Sequence, residues 1–201
     1  YYGYQFGVAA DKTAQADYDG DGKTDLAVYR PNQNNLGVWY IRNSNDASIV
    51  IQQFGLPGDD PAPADYDGDG KADMAVWRNS NQTFYSINSS NNAVQTITIS
   101  QSSTEPVSGD YDGDGKADYA VRSGTSWHIR SSMSGTVQPT TPSGDLSSDI
   151  AVQNDYDGDG KVDIAVWRSS NGNWYIRKSG SSGALRQEQW GISGDIPVPA
   201  F

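Results

Sequence analysis

Residues 64–78 read ADYDGDGKADMAVWR. The core of this stretch is D-x-D-x-D-G-x-x-D, which sets carboxylates at Asp65, Asp67, Asp69 and Asp73 and a glycine at Gly70. Alternate residues at positions one, three and five can turn their carboxylates toward one point. Gly70, at position six, permits a sharp turn in which a Cβ would be strained. The carbonyl of Lys71 at position seven can add an oxygen, and Asp73 at position nine closes the shell. Hard oxygen donors in a flexible loop suit Ca²⁺ better than Zn²⁺, which prefers nitrogen and sulfur, or Mg²⁺, which demands a tighter octahedron and keeps more water. The apolar run after the loop, Met74–Trp77, then reads as a strand.

The stretch occurs four times. Residues 16–30 read ADYDGDGKTDLAVYR, 109–122 read GDYDGDGKADYAVR and 154–168 read NDYDGDGKVDIAVWR. The opening residues Asp17, Asp65, Asp110 and Asp155 are spaced by 48, 45 and 45 residues. By register the other candidate ligands are Asp17, Asp19, Asp21 and Asp25, with the Lys23 carbonyl. The third copy offers Asp110, Asp112, Asp114 and Asp118 with the Lys116 carbonyl, and the fourth Asp155, Asp157, Asp159 and Asp163 with the Lys161 carbonyl. Four carboxylates in one loop repel one another unless a cation joins them, so solvated acidic turns are the weaker alternative. An EF-hand needs a bidentate Glu at position twelve. That position holds Val28, Val76, Val121 and Val166, inside strand-like runs, so the EF-hand is excluded.

Two further blocks recur. WYIR at 39–42, FYSI at 84–87, WHIR at 127–130 and WYIR at 174–177 follow each loop. A block such as QFGLPGDDPAPAD at 53–65 precedes it and returns as QFGVAADKTAQAD at 5–17 and QWGISGDIPVPAF at 189–201. Each repeat thus predicts four short strands: a lead-in such as Pro61–Ala64, the run leaving the loop such as Met74–Arg78, the aromatic block, and a β-branched run such as Val94–Ile99. Four strands per repeat predict an all-β, β-propeller-like array of four blades of antiparallel strands, with the cation loop between the first two strands of each blade. One repeat domain over 1–201 is expected, with repeats near 5–52, 53–98, 99–144 and 145–188 and a surplus strand segment at 189–201. Whether four blades close alone or form part of a larger ring stays open.

Net charge is −11, and sixteen of the 25 acidic residues lie in the four loops. Four Ca²⁺ ions (4 × 2 = 8) would leave −3, so the acidity is mostly that of the metal loops. A chain this acidic is not expected to bind nucleic acid. Cysteine is absent, which excludes disulfides and thiolate sites. No apolar run approaches the roughly 18 residues of a membrane span. The chain opens on Tyr1 without a leader segment, as a mature product or a fragment would.

Together the DYDGDGKADMAVWR loop, the aromatic strand and the Q-[FW]-G-x-x-x-D-x-P-x-P-A segment resemble the FG-GAP/VCBS-like repeats of integrin α-chain propellers and secreted bacterial proteins. The resemblance covers essentially the whole chain. It implies a β-propeller with a Ca²⁺ loop in each blade, an extracellular, secreted or cell-surface location, and roles in cell adhesion, carbohydrate binding or surface assembly. The third copy departs from the pattern. It lacks the F-G dipeptide and the aromatic before Arg122, so a shorter or distorted blade is expected there.

Outside the loops the candidates are few. His128, the one histidine, occupies the place of Tyr40, Tyr85 and Tyr175 and reads as structural, and no nucleophile–base set emerges, so no catalytic residue is expected. Trp39, Trp77, Trp127, Trp167, Trp174 and Trp190 read as filling between blades, with sugar stacking as the alternative. Arg30, Arg78, Arg122 and Arg168 read as salt-bridge or aromatic-stacking residues. Asn81 and Asn88 open N-x-[ST] sequons that are common by chance in such a chain. Three functions remain: a non-enzymatic Ca²⁺-stabilised adhesion or surface-assembly module, a lectin-like binder, and an accessory domain of a secreted enzyme. A glycan or a surface protein is an expected partner. The spare segments at both ends, YYGYQFG and PVPAF, point either to self-association by terminal strand exchange, closing into a ring or running on as a filament, or to an N-terminal strand left as the remnant of upstream blades.

Overall fold

The computed structural model describes residues 5–102, 105–142, 144–180 and 183–197. All its regular structure is β. The first sheet comprises β1 (Lys12–Thr13), β2 (Leu26–Gln33), β3 (Leu36–Arg42) and β4 (Ile49–Gln53), and the second β5 (Asp60–Pro61), β6 (Met74–Arg78), β7 (Thr83–Ile87) and β8 (Val94–Thr98). The third holds β9 (Glu105–Pro106), β10 (Tyr119–Ser123), β11 (Ser126–Arg130) and β12 (Val137–Thr140), and the fourth β13 (Ile150–Ala151), β14 (Ile164–Arg168), β15 (Asn173–Arg177) and β16 (Leu185–Gln189). Each sheet is an antiparallel meander in chain order, so the molecule is a propeller-like array of four-stranded blades. Among the described residues no helix is long and apolar enough to cross a membrane. The chain divides into two compact units, Tyr1–Ser100 with the first two blades and Gln101–Phe201 with the last two.

The expected strands two to four are present, but the lead-in strand is shorter than its sequence suggests. In the second blade the strand covers Asp60–Pro61, beyond which only the Ala62 N–H bond to the Ala75 carbonyl and the single bridge Ala64↔Asp73 carry the pairing on. The register is nevertheless continuous, from Pro61↔Val76 to Ala64↔Asp73, so the two arms of the acidic loop stay clamped. The same bridge closes the other loops at Ala16↔Asp25, Gly109↔Asp118 and Asn154↔Asp163.

The two middle strands of each blade carry the core. In the first unit Tyr29, Trp39, Ile41 and Ala27 form a buried cluster to which the second blade contributes Val76, with Met74 and Tyr85 at its edge. In the second unit Trp127, Ala120 and Val107 of the third blade take Val166 from the fourth. Tryptophan therefore fills space between blades at Trp39 and Trp127, while Trp167 packs within its own blade and Trp77 against Phe84 of its own; all four have at most 1% exposure. Trp174 is only partly buried, and Trp190 is exposed at 79%.

The third blade is neither shorter in strand number nor disrupted. Its repeat is two residues shorter here, and the difference is absorbed in the β10–β11 turn, where Ser123 faces Ser126 across only two residues, against four between Arg78 and Thr83 in the second blade. This shifts Arg122 into the place of an aromatic: it pairs with Trp127, as Trp77 pairs with Phe84 and Trp167 with Trp174. Arg122 is thus not the equivalent of Arg30, Arg78 and Arg168. It is buried and donates to the carbonyls of Leu146 and Asp149 and to the Glu105 carboxylate.

Arg122 makes the expected ion pair with Glu105, and the other three arginines show both the expected ion pair and the expected aromatic stack. Arg30, Arg78 and Arg168 each grip one buried carboxylate through Nε and Nη2: Asp11, Asp59 and Asp149. Each guanidinium also stacks on a tyrosine of the aromatic strand, Tyr40, Tyr85 or Tyr175, at 4.6, 4.3 and 4.4 Å. The same carboxylates accept the N–H of Val8, Leu56 and Leu146, which holds the lead-in turn of each blade closed. Residues 1–4 and 198–201, on which the spare terminal strands partly fall, lie outside the described residues; Gln5–Gly7 forms no strand.

Candidate metal centre

Each acidic loop is held by its own backbone before any ion is considered. The position-one carboxylate folds over the loop and accepts two N–H groups: Asp65 takes those of Gly68 and Gly70 at 2.6 and 2.8 Å. Asp17, Asp110 and Asp155 do the same with their glycines. These glycines have no substitute of equal ease. The position-six residues Gly22, Gly70, Gly115 and Gly160 have φ of +81, +86, +85 and +83°, a region in which a Cβ is strained. Position four, which the sequence reading did not single out, carries the same constraint at Gly20, Gly68, Gly113 and Gly158.

The position-nine aspartates Asp25, Asp73, Asp118 and Asp163 are fully buried. One oxygen of each accepts the N–H of the loop tyrosine (Tyr18, Tyr66, Tyr111 or Tyr156), and the other the N–H of a serine in the turn between the third and fourth strands. The tyrosine hydroxyl reaches back to a lead-in carbonyl, for example Tyr66 to Ala62 at 2.8 Å. Burial pushes the Asp73 and Asp118 carboxyls above the ordinary carboxylate range, and the charges of Asp67 and Asp112 push the same way. Asp155 goes the other way, held low first by the Gly160 N–H.

In all four loops positions one, three and nine converge. One oxygen from each of Asp17, Asp19 and Asp25 lies within 4.8 Å of the others, and so do those of Asp65, Asp67 and Asp73, of Asp110, Asp112 and Asp118, and of Asp155, Asp157 and Asp163. The position-five residues Asp21, Asp69, Asp114 and Asp159 stand outside these trios. Each accepts the N–H of the following lysine, Lys23, Lys71, Lys116 or Lys161, and the hydroxyl of the turn serine. That serine is Ser44, Ser89, Ser132 or Ser179, and the sequence reading missed it. The signal was available, since it always stands two residues after the aromatic block.

Two oxygens of the trios are unspent. Asp112 Oδ1 and Asp157 Oδ1, both at position three, are buried and have no hydrogen-bond partner. A buried carboxylate oxygen without a donor carries a desolvation cost that a cation would remove. An all-oxygen set of three converging carboxylates fits a hard divalent ion. Adjacent loops also touch within each unit: the Ala72 N–H donates to the Asp17 carbonyl and the Val162 N–H to the Asp110 carbonyl, both at 2.7 Å.

Fold and site together define an all-β repeat protein with one converging acidic loop per blade. The chain belongs to the FG-GAP-like repeat family, whose model matches residues 17–76 and 65–121, together more than half of the sequence. No curated protein sequence matches it. Among solved structures it is similar to a catalytically inactive virginiamycin B lyase from Staphylococcus aureus with quinupristin, at 10% identity and a TM-score of 0.54. It is also similar to the V. cholerae biofilm matrix protein Bap1, at 22% identity and a TM-score of 0.41. The likeness to the lyase is one of fold. The alignments cover 90% and 88% of this chain but only 56% and 30% of those two proteins.

Proposed function

We propose that the chain is an extracellular, calcium-stabilised repeat module that serves adhesion or surface assembly and has no catalytic role. The observation that carries the metal reading is the fourfold convergence of three aspartates, with a buried, partnerless oxygen at Asp112 and Asp157. One Ca²⁺ per loop is bound by positions one, three and nine. Asp21, Asp69, Asp114 and Asp159 and the carbonyls of Lys23, Lys71, Lys116 and Lys161 complete the proposed set. The donors are all oxygen, which favours Ca²⁺ over Zn²⁺.

Two features support the assembly role. The titratable groups best placed for acid–base work are the loop carboxylates, which this reading spends on metal, while His128 is half-buried and burial lowers its pKa. The outermost strand of the first blade, β4, leaves Ile49, Val50 and Ile51 in solvent at 55, 40 and 61% exposure. An apolar edge of this kind takes up a further strand, here one from a second copy.

Calorimetric titration of the metal-free chain with CaCl₂ tests the reading. The expected stoichiometry is about four ions per chain, falling by about one in Asp67→Ala. Absence of calcium uptake, or an unchanged count in the variant, contradicts it.

A further inference from the structure

Two cavities recur at the same place in the repeat. One of about 200 Å³ lies in the first unit beside Tyr18, Ile41, Met74 and Ser89. Another of about 300 Å³ lies in the second unit beside Tyr111, Ile129, Ile164 and Ser179. These four positions are equivalent in the repeat, but the rims differ. Where the first cavity has Ile87 and Asn88, the second has Arg177 and Lys178, and Lys161 joins them.

Three cations therefore meet at one cavity in a chain of net charge −11. Their partners are few. Lys161 Nζ donates to the Asp112 carbonyl at 2.8 Å, and Arg177 Nη1 to the Gly183 carbonyl at 3.2 Å. Arg177 Nε is buried with no hydrogen-bond partner. Among the described residues the one carboxylate in ion-pair range of the three is Asp157, 3.6 Å from Lys178 Nζ. Arg177 acts on Asp145 only through space.

We propose that this cavity, between the third and fourth blades, binds a ring-sized carboxylate, of which a uronic acid is the simplest. A guanidinium matches a carboxylate in geometry, and charge-assisted hydrogen bonds are the strong ones. The apolar floor of Tyr111, Ile129 and Ile164 suits the C–H face of a ring. The volume stands at the lower end of small-ligand sites, which span about 300–1,000 Å³. The cavity in the first unit has the same floor without Arg177 and Lys178, and so serves as an internal control.

The test is an amide-shift titration of the isotope-labelled chain in CaCl₂ with three probes: glucuronate, glucose and acetate. Glucuronate is expected to shift Ile129, Ile164 and Lys178 while Ile41, Met74 and Asn88 stay in place. Glucose lacks the charge and acetate the ring, so neither reproduces the shifts at equal concentration. Arg177→Gln and Lys178→Gln, tested singly, each weaken glucuronate binding about tenfold, the value of one hydrogen bond to a charged group. Lys178 is partly exposed, so its variant keeps the fold even if Arg177→Gln does not. Equal shifts in both cavities, unaltered binding in Lys178→Gln, or no response to glucuronate would overturn the proposal. Ion uptake is read separately at the loop glycines, so a chain that takes calcium but ignores glucuronate loses the anion site and keeps the metal reading.

Discussion

At the scale of single residues, the arginine clamp outside the loops makes the firmest energetic statement. Asp59 has 1% side-chain exposure and accepts Arg78 Nε and Nη2 and the Leu56 N–H, each at 2.8 Å. Asp59→Ala strands a largely buried guanidinium and opens the lead-in turn. Breaking one partner of a buried pair costs about 3–5 kcal/mol, so the urea midpoint of the variant should fall steeply. An unmoved midpoint would show the clamp to be ornamental. The equivalent Asp11 gives a pH signature, because hydrogen bonding to Arg30 holds its carboxyl below the ordinary 3.8. Its folded pKa is depressed, so the unfolded chain binds the proton first. The stabilisation is present above about pH 3.8 and is lost as pH falls through the folded value. Asp11→Asn should therefore be less stable at neutral pH and lose less stability than the parent on acidification below that point, as followed by acid titration of the tryptophan fluorescence.

The scale of the strand, loop and turn is where sequence and structure part company. The loop, the strand leaving it and the aromatic strand were legible because each has a fixed pattern: carboxylates at alternate positions, then Met74–Arg78 and Thr83–Ile87 at constant offsets. The lead-in strand was overestimated because register and hydrogen-bond ladder are different things. From Pro61 to Ala64 the register is kept, but regular strand pairing stops at Pro61, and only the Ala62 N–H bond to the Ala75 carbonyl and the Ala64↔Asp73 bridge continue it. Arg122 forms an ion pair as expected, with Glu105, but not at the place of Arg78: an arginine after A-V aligns with Arg78 by eye, whereas the shortened turn moves it one place inward. Position five was assigned by analogy with alternate carboxylates, and the turn serine that holds it was hidden among many serines. This serine ties loop to turn: Ser89 donates its N–H to Asp73 and its hydroxyl to Asp69 at 2.6 and 2.9 Å. Ser89→Ala removes only the hydroxyl bond. It should lower the stability of the metal-free chain by about 1 kcal/mol, as measured by urea denaturation in chelator. No loss would mean that the backbone N–H alone secures the turn.

For the molecule as a whole, the proposed calcium sites would turn the acidic loops from a liability into an asset. Sixteen loop carboxylates dominate a net charge of −11, and each loop already presses like charges together beside a buried aspartate. Ion binding to the native state alone stabilises it by about 2.7 kcal/mol per site when free calcium is ~100 times Kd. Four such sites amount to about 11 kcal/mol, comparable with the whole stability of a typical domain at ~5–15 kcal/mol. On the proposed reading, blade packing around Trp39 and Trp127 holds a fold whose loops calcium would set. Thermal melting in saturating CaCl₂ and in excess chelator, with ion removal verified by elemental analysis, tests this most directly. The account predicts a large drop in melting temperature, or an unfolded chain, once calcium is removed. The same melting temperature in both conditions would contradict it.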